Sequence, residues 1–172
     1  LGGILIGLSI LSYTASNWQV ITPWLRLGII GVWLVLLYGL GDRYYKKEKK
    51  ALGVSLIGAG LLAFGAGIFL IIQMFQLNVS VTYSFFVWGM IGVLFMFLYE
   101  SRFLYMLSVI ILFAAEAYHV ANFHHFHMII FIFYVVALGI FSMKMFDEGW
   151  SFPYFIGILL QTMFFLGTND IN

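Results

Sequence analysis

The chain has 172 residues, of which 63% are hydrophobic and 9% charged, with a mean hydropathy of +1.05. That balance excludes a soluble domain of this size and points to an integral membrane protein, while a net charge of +1 with the basic residues gathered in one short run argues against a nucleic-acid partner. The absence of cysteine excludes a disulfide framework and thiolate metal sites.

In chain order, a first membrane span is expected over residues 1–16. The chain starts at Leu1 and stops just after an apolar segment, Gly167 to Asn172 being its last residues, so a piece of a longer protein is expected. The rival reading of the start is a secretory signal peptide cut near Tyr13-Thr14-Ala15-Ser16, which lacks the usual basic n-region. A polar, aromatic turn, Asn17 to Trp24, follows, and Pro23 suits the first turn of the next helix. The second span is expected over residues 24–40, ended by a polar loop from Asp42 to Lys50 that holds five of the eight basic residues.

Residues 51–75 form the third span, the most informative of the chain. Gly53, Gly60 and Gly67 recur every seven residues, as do Gly58 and Gly65, with Ala59, Ala63 and Ala66 between them. Seven residues are nearly two helical turns, so these positions are expected on one small-residue stripe. Small residues let helix backbones approach closely in lipid, where little hydrophobic drive acts between helices. This helix is therefore expected inside a bundle, with the face of Gly60, Ala63 and Gly67 buried. Further spans are expected over residues 81–99, 103–119, 128–143 and 152–167, giving an all-α, polytopic transmembrane helix bundle of about seven spans in one domain covering residues 1–172. Several hold 16 to 18 residues, near the lower limit of about 17 for crossing the hydrocarbon core, which implies a thin membrane or little tilt.

Orientation follows from the excess of lysine and arginine in cytoplasmic loops. With the Asp42–Lys50 loop in the cytoplasm, seven of the eight basic residues lie inside and Arg26 alone lies near the outer end. An inner (plasma) membrane, multi-pass location is expected. The loops beginning at Asn17, Gln76 and Asn122 then face outward, together with the polar groups that close the spans: Asn17, Trp18, Gln73, Gln76, Glu116 and His119. Any ligand site is expected on that side, formed by these six residues in a cavity between the first, third and fifth spans.

Glu116 lies roughly 20 Å along its helix at 1.5 Å per residue, in the outer third of the bilayer. A charge near the centre of a span costs on the order of 2.5–3.5 kcal/mol on insertion scales, so a partner or a proton is required. His119 is one turn further on the same face and within natural hydrogen-bonding geometry. Glu-x-x-His is also the spacing of di-metal bundle sites, with His124, His125 and His127 as weak additional ligand candidates, but no second such motif exists on another span. No metal and no cofactor is assigned. The histidine cluster also reads as an interfacial loop, Glu116 with His119 as a structural pair, and Gln73 with Gln76 as glue between helices, each such bond being worth about 0.6 kcal/mol.

Thr14-Ala15-Ser16-Asn17-Trp18, Ile21-Thr22-Pro23-Trp24-Leu25-Arg26-Leu27 and the run Phe64-Gly65-Ala66-Gly67 through Gln73-Met74-Phe75-Gln76-Leu77 resemble the bacterial membrane-protein family Domain of Unknown Function 2157, over residues 1 to about 102. The resemblance implies a polytopic inner-membrane protein, commonly with a soluble segment ahead of the first span and further helices after the shared part. It carries no activity. Two classes of function remain. One is a membrane module binding or moving a small molecule or lipid through an outward-facing polar cavity. The other is a structural or partner-binding subunit whose glycine helix packs against its own helices, another membrane protein or a second copy. An intramembrane enzyme using Glu116 and His119 is the weaker third, and a non-enzyme is favoured. The lipid bilayer itself is the one partner common to all.

Overall fold

The computed structural model describes residues 20–123, 128–144 and 159. Among the described residues five helices follow one another: α1 (Pro23–Lys46), α2 (Lys50–Met74), α3 (Val81–Tyr99), α4 (Arg102–Phe123) and α5 (Met128–Lys144). They correspond to the second through sixth expected spans. The first expected span, and the seventh apart from residue 159, fall outside the described residues; among the described residues four helices are long and apolar enough to cross a membrane: α1, α2, α3 and α4. Among the described residues there is no strand.

The boundaries correct the sequence reading in one direction. At 24 and 22 residues α1 and α4 are longer than expected, whereas α3 keeps its expected bounds and α2 its expected length one position earlier, spanning about 37 Å, so neither a thin membrane nor an absence of tilt is required of them. The extension of α1 is polar. The expected Asp42–Lys50 loop is helical through Lys46, where Lys46 Nζ reaches Asp42 Oδ2 one turn back at 2.6 Å and supports the added turn as an i, i+4 pair. Asn122 likewise closes α4 and is not in a loop, with its side-chain amide donating to the Tyr118 carbonyl at 2.8 Å. Only Lys47, Glu48 and Lys49 connect α1 to α2, and Glu48 takes the left-handed conformation at φ 64° that reverses the chain so sharply. Gln76 ends α2 in the same way, at φ 49°, with the Leu77 amide returning to the Ile72 carbonyl at 3.0 Å.

The glycines of α2 lie on two faces, not one. An offset of two residues turns about 200° around a helix, so Gly58 and Gly60 point in nearly opposite directions. Gly53, Gly60 and Gly67 receive α1: Gly53 lies against the backbone of Gly41 and Tyr45, Gly60 against the Tyr38 ring, and Gly67 against Ile30. Gly58 and Gly65 receive the other side of the bundle, through the rings of Phe103 and Trp88. All five glycines are buried, whereas Ala59 and Ala66 are exposed and Ala63 is half-buried. At Gly65 the missing side chain uncovers the carbonyl one turn earlier, and Trp88 Nε1 donates to the Leu61 carbonyl at 2.8 Å. The central placement expected of this helix is what the packing gives it.

Helices α3 and α4 form a second hairpin across two residues, Glu100 and Ser101, with Glu100 left-handed at φ 42°. Gly89 admits Leu112, and Gly92 lies against Ser108 and Leu61. Ile57, Val93, Met96, Leu104, Tyr105, Val109, Leu112 and Tyr134 make the core, so α2, α3, α4 and α5 all contribute to it. Helix α5 packs on α3 and α4, with Phe133 edge-on to Phe86 at 5.3 Å between centroids. At the basic end the hairpins are tied together: Tyr45 Oη donates to the Tyr99 carbonyl at 3.1 Å, Tyr99 Oη donates to Asp42 Oδ1 at 3.2 Å, and the two rings meet edge to face at 4.9 Å.

Candidate functional site at the start of α3 and the end of α4

One stripe of α4 faces inward, and its residues recur at helical spacing: Leu104, Ser108, Ile111, Leu112, Ala115, Glu116, His119 and Val120. The apolar packing that fixes this rotation of α4 carries Glu116 and His119 inward with it. Glu116 is 1% exposed and His119 8% exposed. Across from them the start of α3 is also polar, with Thr82 and Ser84 buried. His119 Nδ1 lies 3.4 Å from Thr82 Oγ1, and the imidazole is tilted over the Phe123 ring at 4.8 Å. Ser84 Oγ donates back to the Ser80 carbonyl at 3.3 Å. An imidazole thus bridges the end of one helix and the start of its neighbour.

Beside this pair the end of the bundle away from the basic run opens into a cleft of about 690 Å³. Asn78, Val79, Ser80, Val81 and Tyr83 form one wall, and Tyr118, Asn122 and Phe123 form the other. Phe123 therefore separates the cleft from the His119 ring. An aromatic chain braces the same region, with Phe85 at 5.0 Å from Phe69, 5.8 Å from Trp88 and 6.5 Å from Tyr118. The cleft offers amide, hydroxyl and backbone groups beside exposed tyrosine rings, the mixture that small-molecule sites use to fix orientation within an apolar surround.

The expected site residues are only partly brought together. Glu116 and His119 share the buried face of α4, as their spacing implied. Gln73 and Gln76 are at the same end of the bundle but exposed, and Gln76 serves as the left-handed residue that stops α2. Gln73 is exposed in the last turn of α2, whereas Glu116 is buried on α4. Asn17, Trp18, His124, His125 and His127 lie outside the described residues. Among the described residues no three His, Asp or Glu side chains gather as a metal site. The sequence reading missed Thr82 and Ser84. Their signal was a Thr-x-Ser pair in the first turn of an otherwise apolar span.

Four antiparallel, apolar helices packed through glycine notches, with ionisable groups turned inward, define a polytopic α-helical integral membrane protein. Residues 1–105 match the family described as predicted membrane protein, Domain of Unknown Function 2157, and the chain belongs to that family. No curated protein and no solved structure matches the chain. The matched residues take in α1, α2, α3 and the first turn of α4, and with them every glycine of α2 and Trp88. Glu116 and His119 lie beyond the match.

Proposed function

We propose that the chain is a membrane-embedded binding module that takes a small polar molecule or a lipid headgroup into the outward-facing cleft between α3 and α4. The observation that carries this reading is the burial of a carboxylate and an imidazole on one helix face, one ring removed from an open cleft. Apolar residues would fill those two positions at less cost, since buried ionisable groups in membrane spans are expensive and mark ligand or ion pathways by default. In this reading Tyr118, Asn122 and Phe123 receive the ligand, His119 adjusts to it through Thr82 and Phe123, and Glu116, one turn deeper, sets the polarity beneath. The basic end of the bundle faces the cytoplasm of an inner-membrane protein, by the positive-inside rule.

A structural role is the second reading, and a specific observation favours it: the glycine faces of α2 are covered by backbone and side chains of the same chain. Glu116→Gln, Glu116→Leu and the cleft-filling Asn122→Trp separate the two. For a binding module, native mass spectrometry of the detergent-extracted protein records a bound non-protein mass. Glu116→Gln and Asn122→Trp, folded by circular dichroism and gel filtration, lose that mass. For a structural bundle, Glu116→Gln matches the parent in every readout and only Glu116→Leu loses stability, by stranding the groups around it. A parent without bound mass, or equal retention in both folded variants, refutes the binding reading.

A further inference from the structure

At the opposite, basic end a second cleft of about 590 Å³ opens between the start of α2 and the turn from α3 to α4. Lys50 and Arg102 stand on its two sides, Ala51, Val54 and Phe103 give it an apolar wall, and Glu100 supplies its one acidic group. Lys50 extends its ammonium over the Tyr45 ring, 5.9 Å from the centroid, which holds the cation near the mouth. Lys50 and Arg102 are also the first residues of α2 and α4, so the positive ends of two helix dipoles add to the same potential. Nearby, Lys46 is engaged with Asp42, while Arg43, Lys47 and Lys49 outnumber Glu48. The cleft thus joins an excess of positive charge to an apolar wall at the depth where headgroups meet acyl chains.

We infer that this cleft binds the phosphate of an anionic phospholipid from the adjacent leaflet, with Lys50 and Arg102 flanking the phosphate and Ala51, Val54 and Phe103 against the first carbons of the chains. A lipid is the occupant that matches both walls. Free phosphate would use the cations and leave the apolar side uncovered, and a zwitterionic lipid would bring a choline group against them. Basic pockets between spans on the cytoplasmic side are suited to such headgroups, and each basic group near the surface strengthens binding about five-fold. The inference is independent of the outer cleft.

The test titrates delipidated protein in detergent with phosphatidylglycerol or phosphatidylcholine and counts bound lipid by native mass spectrometry, alongside thermal unfolding. The parent is expected to bind phosphatidylglycerol at least ten-fold more tightly than phosphatidylcholine and to melt higher when it is bound. Lys50→Gln with Arg102→Gln should weaken phosphatidylglycerol about 25-fold and erase the stabilisation. Lys47→Gln with Lys49→Gln removes the same charge outside the cleft and should leave tight binding in place, and Arg102→Lys should retain most of it. Equal loss in the two double variants would mean a diffuse basic surface and overturn the site. Equal binding of the two lipids, or displacement of phosphatidylglycerol by millimolar inorganic phosphate, would overturn the lipid assignment.

Discussion

Gly53 is the position where the packing of α1 on α2 can be challenged most directly. A Cβ built there would lie 2.6 Å from the Tyr45 nitrogen, 2.7 Å from the Gly41 carbonyl oxygen and 2.8 Å from the Tyr45 Cα. All three are backbone atoms, so no side chain can swing away. Ordinary contact begins near 3.4 Å, and the helices must separate by about 0.8 Å to accept one methyl group. A gap of that size forfeits a quarter to a half of the dispersion energy of each pair it opens. Overpacking of this kind costs about 1–3 kcal/mol, and the helix propensity gained by alanine over glycine returns about 0.5–1 kcal/mol. Gly53→Ala should therefore be net destabilising by about 1–2 kcal/mol, a five- to thirty-fold fall in the folded-to-unfolded ratio. Gly39→Ala is the matched control on α1, since its Cβ meets nothing within 4 Å among the described residues, and it should be neutral or stabilising by about 0.5–1 kcal/mol. Equilibrium unfolding by SDS in mixed micelles reads both. If Gly53→Ala proves as benign as Gly39→Ala, the close backbone approach of α1 to α2 is wrong.

Single cysteines at Lys47 and Asn78, both exposed and at opposite ends of α2, should react with impermeant reagents from opposite sides of the membrane, Lys47 from the cytoplasm; same-side reaction removes the topology. Trp88→Phe keeps an aromatic ring at the Gly65 notch and loses the bond to the Leu61 carbonyl, so it should cost about 0.6–1 kcal/mol in the same unfolding assay. Trp88→Ala empties the notch and should cost about 3–5 kcal/mol; equal losses would mean that the hydrogen bond, and not the ring, dominates.

The architecture was legible where a period or a charge count carried it. The seven-residue recurrence of glycine marked α2 as the central helix, because no lipid-facing surface needs such regularity. Its division into two faces required the offset between Gly58 and Gly60 to be converted into an angle, and the reading of one stripe failed at that step. The basic run marked one end of the bundle correctly, yet Asp42 to Lys46 was taken for a loop because charge was equated with the end of a helix, whereas helices continue into the headgroup layer. Glu116 and His119 were legible as inward-facing because both fall on the apolar stripe of α4. Their neighbours were not, since which residue lies across from His119 depends on the stagger of α3 against α4, and a single sequence does not encode that in any local pattern. Gln73 shows the reverse case: a polar residue near the end of a span costs little at the surface, so polarity alone did not place it.

The two-sidedness of α2 has a consequence for how the protein is made. Its contacts with α1 close within one hairpin and can form as soon as both helices have entered the bilayer. The opposite face must wait, because Trp88 follows the carbonyl it caps by 27 residues and Phe103 is further still. During that interval a nascent chain presents the Gly58 and Gly65 notches, with a bare carbonyl between them, to every other helix in the membrane. Small-residue notches are what unrelated spans also use to associate. Protection of this one face during synthesis, by the insertion machinery or by rapid entry of the next hairpin, is thus a requirement written into the fold.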